Sequence, residues 1–508
     1  EMCIRDRSVT LLLLVAFISV LVQLYSTEYV RGDRRYTHYF ASITLFSAGM
    51  LTMVAAPNMV QFILGWEIMG LTSFMLIGHW WEETANSKAA LKAFFTVRVG
   101  DMGLLVGTGA LLLLFGTLEI GEINEQAANF AGDNKGMLMF AAVALFIACI
   151  GKSGQFPLHT WLPDAMAGPT PVSSLLHSST MVVAGVFLVA RLYPVFHVGL
   201  DINMAGQSFN LIAVIGGITV LIAAGLAFVQ DDIKKVLAYS TVSQLGYMML
   251  GLGVGAWTGA VFHIFTHAFF KCALFLCAGS IAHTGSHHSF DMKKDMGGLR
   301  KKMPVTFAVW IASTAALMGI PFFSGFFSKD EIIDSAKHNH YTVFYVVAII
   351  GAAMTAAYMT RATYLTFFGK ARGGAAHFVH GDDHGHDAHA DAHAADAHAV
   401  DAHGHDDHHA PAHHSAPLPF AKTDSSWQIT IPLIILGVLA VISGYLNAPA
   451  LGIHWFEHMT ESSIGAGSAM SVPPPPEFLW SAAAPGLLLV LAGFLVSLYL
   501  SKAVFGEK

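Results

Sequence analysis

Charge is what this chain has least of. Asp, Glu, Lys and Arg make up 12% of its 508 residues, where a soluble globular chain carries roughly 25%. The formal net charge of −7 is spread along the chain, with no basic face for a nucleic acid. Cysteine is scarce too. Cys3, Cys149, Cys272 and Cys277 show no zinc spacing, and three of them lie in apolar runs, which favours buried free thiols over a disulfide framework. No glycine fingerprint follows a strand, and no cysteine cluster suits an iron–sulfur centre. The start, EMCIRDR, has no signal-peptide plan and leads straight into an apolar run.

What is present is hydrophobic length. Hydrophobic residues make up 54% of the chain, and apolar runs close to the ~20 residues that span a bilayer recur along it. The pattern predicts an all-α polytopic membrane protein of about thirteen transmembrane helices. They fall near 9–25, 39–57, 58–80, 94–116, 137–155, 172–197, 208–229, 234–254, 257–283, 304–322, 340–368, 429–447 and 477–501. A half-length segment, 324–338, lies between the tenth and eleventh. Alternate loops carry the positive charge: Arg31, Arg34 and Arg35, then Lys88 and Lys92, Lys234 and Lys235, Lys293 to Lys302, and Lys370 with Arg372. These loops are expected to face the cytoplasm, or the matrix in an organelle. Residues 375–415 hold thirteen histidines among Asp and Ala. Such a segment cannot form a core and is expected to be a disordered cytoplasmic insert. Its histidines, among them His384, His386, His405, His408 and His409, could hold a metal weakly, or the insert is simply tolerated.

Ionisable residues inside the apolar runs carry the functional signal, because a charge at bilayer depth costs about 2.5–3.5 kcal/mol unless it has partners or water. Glu67 is the only acid between Asp33 and Glu82 and lies mid-run, too deep to snorkel. Lys152 is isolated in LFIACIGKSGQF and is the obvious partner for it. A lysine poised between burial and a nearby carboxylate can load and release a proton. Pro157, Pro163, Gly168, Pro169 and Pro171 break the chain after Lys152, and broken backbone at that depth implies a protein or wet surround. His177 opens the next run, either as a relay or as a hydrogen-bonded core histidine. Arg98 and Asp101 share a helix face and can pair, structurally or in charge transfer. His263, His267 and Lys271 fall at i, i+4 and i+8, one stripe of one helix, which reads as a proton wire better than as a zinc site. Gly319, Pro321 and Gly325 then break a second helix ahead of Lys329, Asp330 and Glu331. One interruption with a lysine in each half suggests an internal repeat with paired half-channels.

Several stretches together are specific: GWEIMGLTSFMLIG, KAFFTVRVGDMGLL, GKSGQFPLHTWLPDAMAGPTPVSSLLHSS, DDIKKVLAYSTVSQLGYMMLGLG, FHIFTHAFFKCALFLCAGS and GFFSKDEI. From about residue 9 to 370, and more weakly to about 501, the chain resembles the antiporter-like membrane subunits of respiratory complex I, the chain L family of bacteria and subunit 5 of mitochondria. The resemblance implies two inverted five-helix repeats with discontinuous helices, at 39–197 and 208–368, between an N-terminal helix (1–38) and C-terminal membrane helices (429–508). It implies proton-relay roles for Glu67 and Lys152 in one half, and for His263, His267, Lys271 and Lys329 in the other, with His177 between. Arg98, Asp101, Asp330 and Glu331 would supply supporting ion pairs. It implies a subunit of NADH–quinone oxidoreductase in the bacterial inner membrane, or the mitochondrial one, beside other antiporter-like subunits. NADH, FMN, iron–sulfur clusters and quinone would belong to partner subunits, with no cofactor on this chain. Two family helices before residue 9 and a lateral helix after 501 are missing, so the chain reads as a fragment. The alternative is a subunit of a multisubunit Na+/H+ antiporter, whose core motifs are related.

Overall fold

The computed structural model describes residues 2–130, 134–204, 207–380, 416–418, 423–461, 478 and 480–505. The chain runs α1 (Met2–Tyr29), α2 (Tyr36–Ala55), α3 (Met59–Ile77), α4 (Thr84–Phe115), α5 (Ile120–Ala128) and α6 (Lys135–Lys152). Short pieces follow: α7 (Trp161–Asp164), α8 (Thr170–Ser178), α9 (Val183–Arg191) and α10 (Tyr193–Leu200). An antiparallel hairpin, β1 (Asp201–Met204) and β2 (Gln207–Asn210), pairs Asp201 with Asn210. Then come α11 (Leu211–Val229), α12 (Ile233–Gly253), α13 (Trp257–Ser280), α14 (Pro304–Met318), α15 (Ser324–His338), α16 (Thr342–Phe367), α17 (Gly373–His380), α18 (Trp427–Ile442), α19 (Trp455–Glu461) and α20 (Trp480–Phe505).

Helices dominate because apolar runs in lipid must satisfy their backbone groups internally. Their starts are marked locally: Asn58, Asn210 and Asp232 each accept a backbone N–H of the first turn through the side chain. Among the described residues, eleven helices are long and apolar enough to cross a membrane. Two expected spans fall outside that group. Ile233–Gly253 carries Lys234, Lys235 and Gln244, and Pro304–Met318 is only 15 residues long. The second is short because Gly319 (φ 78°) closes it in a left-handed cap and Pro321 cannot continue it.

Thr170–Arg191 and the helix that opens at Trp257 form the centre; the first is buried throughout, whereas most other spans turn about half their surface outward. Cys149, Cys272 and Cys277 are buried free thiols. Two details depart from the sequence reading. The connection after α10 includes the β1–β2 hairpin. The first residues of the His-rich segment are helical: α17 docks on the 291–295 turn, where Gly374 and Ala375 donate their amides to Asp295 and Ala375 is fully buried. His384, His386, His405, His408 and His409 lie outside the described residues.

On the basic side, the α1–α2 turn is latched to the end of α3. Asp33 accepts the Trp80 indole N–H at 3.0 Å and lies 3.3 Å from His79 Nε2. Arg35 donates to the His79 carbonyl at 3.1 Å, stacks on Trp81 and pairs with Glu82, while the His38 ring lies 6.4 Å from that of His79. Burial pushes the His79 pKa below its ordinary value, outweighing the pull of Asp33. The latch therefore needs a neutral His79. Its contribution is present above about pH 6.5, the unfolded value, and is lost as pH falls below it. Thermal unfolding in detergent should give a lower midpoint near pH 5.5 than near pH 7.5, and His79→Gln should flatten that slope. An equal slope in the variant would place the titration elsewhere.

Candidate proton-relay site

The first cluster forms where α3, α4 and α6 meet. Glu67 pairs with Arg98, whose guanidinium also lies 3.7 Å from Asp101. Asp101 is buried and accepts the Trp66 indole N–H at 2.5 Å. Lys152, at the end of α6, is fully buried. Its amine donates to the Trp66 carbonyl at 3.1 Å and lies 4.9 Å from the centre of the Trp66 ring. The expected direct Glu67–Lys152 pair is thus replaced: Arg98 takes the carboxylate, because its longer fork reaches Glu67 from the neighbouring helix. A Cβ on Gly70 would lie 3.3 Å from Lys152 Nζ and 3.9 Å from an Arg98 nitrogen. The glycine leaves room for two cations to face each other across the Glu67 helix. A glycine in an apolar run gives no such signal in sequence.

The chain breaks after Lys152, and the loose carbonyls find donors. The Trp161 indole takes Gly151 O at 3.0 Å. Lys234 takes the carbonyls of Met166 and Gly168 at 2.6 and 2.8 Å. Lys234 was expected in a basic loop. It is instead buried, stitching the first break to α12.

His177 follows on α8, fully buried, with the Trp161 and Phe275 ring centres 6.1 and 6.4 Å away and neither ring nitrogen hydrogen-bonded among the described residues. One residue on, the Ser178 carbonyl lies 2.8 Å from His267 Nδ1, so α8 hands over to α13. The stripe on α13 is as the spacing predicts: His263, His267 and Lys271 are all fully buried, and the two imidazoles are 6.1 Å apart. His263 is held by Ser328 Oγ at 2.8 Å and Gln244 Oε1 at 3.2 Å. Lys271 donates to Ser240 Oγ at 2.5 Å, which also receives the Tyr358 hydroxyl at 2.9 Å. Sequence reasoning missed Ser240, Gln244, Ser328 and Tyr358. Gln244, a polar residue inside an apolar helix, carried the same signal as the others.

Lys329 is buried on α15. It donates to the Leu317 carbonyl at 2.8 Å and lies 5.0 Å from the Tyr247 ring centre. Neither Asp330 nor Glu331 forms the expected ion pair among the described residues. Glu331 accepts from Asn447 at 3.0 Å instead, because successive helical positions point away from the Lys329 face. No group of three or more His, Cys, Asp or Glu among the described residues is placed to hold a metal ion.

A family profile described as "NADH:quinone oxidoreductase/Mrp antiporter, TM" matches residues 56–355, more than half of the chain. The chain belongs to that membrane family. A second profile, the N-terminus of chain 5 of complex I, matches residues 6–40. Among relatives, NADH-quinone oxidoreductase subunit L of Escherichia coli is 44% identical over 364 residues, covering 72% of this chain and 58% of that protein. NAD(P)H-quinone oxidoreductase chain 5 of Synechocystis sp. is 44% identical over 381 residues, covering 73% and 55%. The chain thus spans little more than half the length of these two relatives. The fold is shared with a solved Mrp complex from Dietzia sp., at TM-score 0.72 and 24% identity over 98% of this chain and 49% of that one. A membrane-bound sulfane sulfur reductase, an archaeal respiratory complex, gives the same TM-score and identity over 99% and 74%.

Proposed function

We propose that this chain is a proton-translocating membrane subunit of an NADH–quinone oxidoreductase. The observation that carries this reading is the succession of buried ionisable groups at bilayer depth: Lys152 beside the Glu67–Arg98 pair, then His177, His267, His263, Lys271 and Lys329. Hydroxyls and a carboxamide lie between them. Packing alone does not account for so many expensive groups. Both ring nitrogens of His177 and Nε2 of His267 have no partner among the described residues, which leaves places where water can bridge. Electron transfer from NADH to quinone, with FMN and iron–sulfur clusters, would take place in partner subunits and drive the relay. A bacterial inner membrane is proposed as its location, which the likeness to a subunit of Escherichia coli supports.

Residues 39–197 and 208–368 are proposed as two inverted units. What supports this is that each holds a broken helix, and each break-associated lysine rests on an aromatic ring: Lys152 on Trp66, and Lys329 on Tyr247. A neighbouring antiporter-like subunit is proposed to cover α3 and α4. The Glu67 and Arg98 side chains are 28% and 36% exposed, on a surface that also exposes Leu64, Leu71, Phe95 and Met102. An ion pair left open to lipid at that depth is unfavourable, so a protein face is the better cover.

The rival is a subunit of a Na+/H+ antiporter, supported by the family description, which names the Mrp antiporter beside NADH:quinone oxidoreductase. Deleting the gene and energising inverted membrane vesicles separates the two. Loss of proton uptake driven by NADH oxidation is expected. Retained NADH-driven uptake with lost Na+/H+ exchange would make the antiporter reading the better one.

A further inference from the structure

Away from the relay, on the side opposite the basic loops, a cavity of about 190 Å³ opens where α1, α5, α9 and α13 meet. Most of its wall is apolar, including Leu11, Phe187 and Val261. One wall is not. Arg191, the last residue of α9, is 9% exposed and lines the cavity, yet no carboxylate lies within 4 Å of it among the described residues. Its guanidinium stacks 5.6 Å from the Phe187 ring centre. It donates to Ser8 Oγ at 3.0 Å, to the Val54 carbonyl at 2.7 Å and to the Ala56 carbonyl, while its Nε has no partner among the described residues. Capping the end of α2 explains two of these bonds. It leaves the charge without a counter-ion and one N–H without an acceptor, in a place where an uncompensated cation is expensive.

The opposite wall adds to this. The first turn of α5 brings Gly121 to the cavity; at that helix end the Glu119 amide is taken by Thr117 Oγ1 and the Ile120 amide by the Pro57 carbonyl, which leaves the Gly121 and Glu122 amides without intrahelical partners. Asn124 anchors that helix by donating to the Arg191 carbonyl at 2.8 Å. Glu119, Glu122 and Glu125 are exposed and do not line the cavity.

We propose that this cavity binds an oxyanion of the phosphate type, held by Arg191 and the first turn of α5. The apolar remainder of the wall fits a lipid phosphodiester, whose glycerol and acyl portion would lie against Leu11 and Val261. The bound group would tie the end of α9 to the start of α13, the helix that carries His263, His267 and Lys271.

The test uses the purified full chain in nanodiscs of phosphatidylcholine, with native mass spectrometry and thermal unfolding as readouts. Titrated phosphatidylglycerol is expected to leave one retained lipid and to raise the unfolding midpoint. Ser8→Asp keeps the hydrogen-bond acceptor and neutralises Arg191 in place, so it should weaken retention at least about tenfold, the loss expected for a charge-assisted contact. Arg191→Gln should do the same, and Ser8→Asp decides the matter if Arg191→Gln fails to fold. Stabilisation by millimolar inorganic phosphate, abolished by Ser8→Asp, would support the site with a free anion as its source. No response to either probe, or equal retention in wild type and Ser8→Asp, would overturn the proposal.

Discussion

Replacing Lys152 with alanine is expected to lower proton translocation by the assembled complex about tenfold or more, since a positioned proton carrier contributes at least that much. Quinone-linked turnover should fall with it. Thermal stability should change little, because the carbonyl that Lys152 contacts belongs to Trp66, inside the unbroken α3, and keeps its helical donor. Glu67→Gln should also depress translocation, by a route the structure makes specific. Glu67 holds the Arg98 guanidinium; without that carboxylate, only Asp101, 3.7 Å away, would balance the Arg98 charge that Lys152 faces across the space left at Gly70. The two groups act on one proton, so the double variant should be far less than additive. Reconstituted complexes, with pumping measured against electron transfer, decide it. Normal pumping in Lys152→Ala would put this lysine off the path, and additive losses would mean that the two residues work separately.

Lys329→Met should differ from Lys152→Ala in one measurable respect. It is expected to lower both translocation and the thermal midpoint. The Leu317 carbonyl would normally accept from the residue four positions on, but that residue is Pro321, which has no N–H. The Lys329 amine fills the role at 2.8 Å. Removing it strands a buried acceptor at the helix break, a loss of about 1–3 kcal/mol. In the first half the corresponding carbonyl, Gly151 O, is satisfied by the Trp161 indole, so Lys152 carries no such structural duty. Thermal unfolding of the two variants in the same detergent, alongside pumping assays, makes the comparison. An unchanged midpoint in Lys329→Met would show that Leu317 has another donor, and unimpaired pumping would remove Lys329 from the relay.

The sequence alone determined the membrane class, the approximate limits of eleven of the thirteen expected spans, the two breaks and the positions of the titratable groups within apolar runs. These are legible because lipid penalises every charge and every unpaired backbone group. A lysine at 152, or a proline at 321, is therefore a conspicuous exception in an apolar run. The stripe of His263, His267 and Lys271 was legible for a related reason: helical period places them on one face whatever packs against it. Pairing across helices was decided only by the tertiary structure. Which cation meets Glu67 depends on how α3, α4 and α6 are rotated against one another, and rotation is set by side-chain interlocking over their whole length. The same holds for Ser240 between Lys271 and Tyr358, for Lys234 turned inward to cap the first break, and for the Arg191 cavity. In each of these the partners come from distant parts of the chain, so their spacing in sequence carries no trace of the contact.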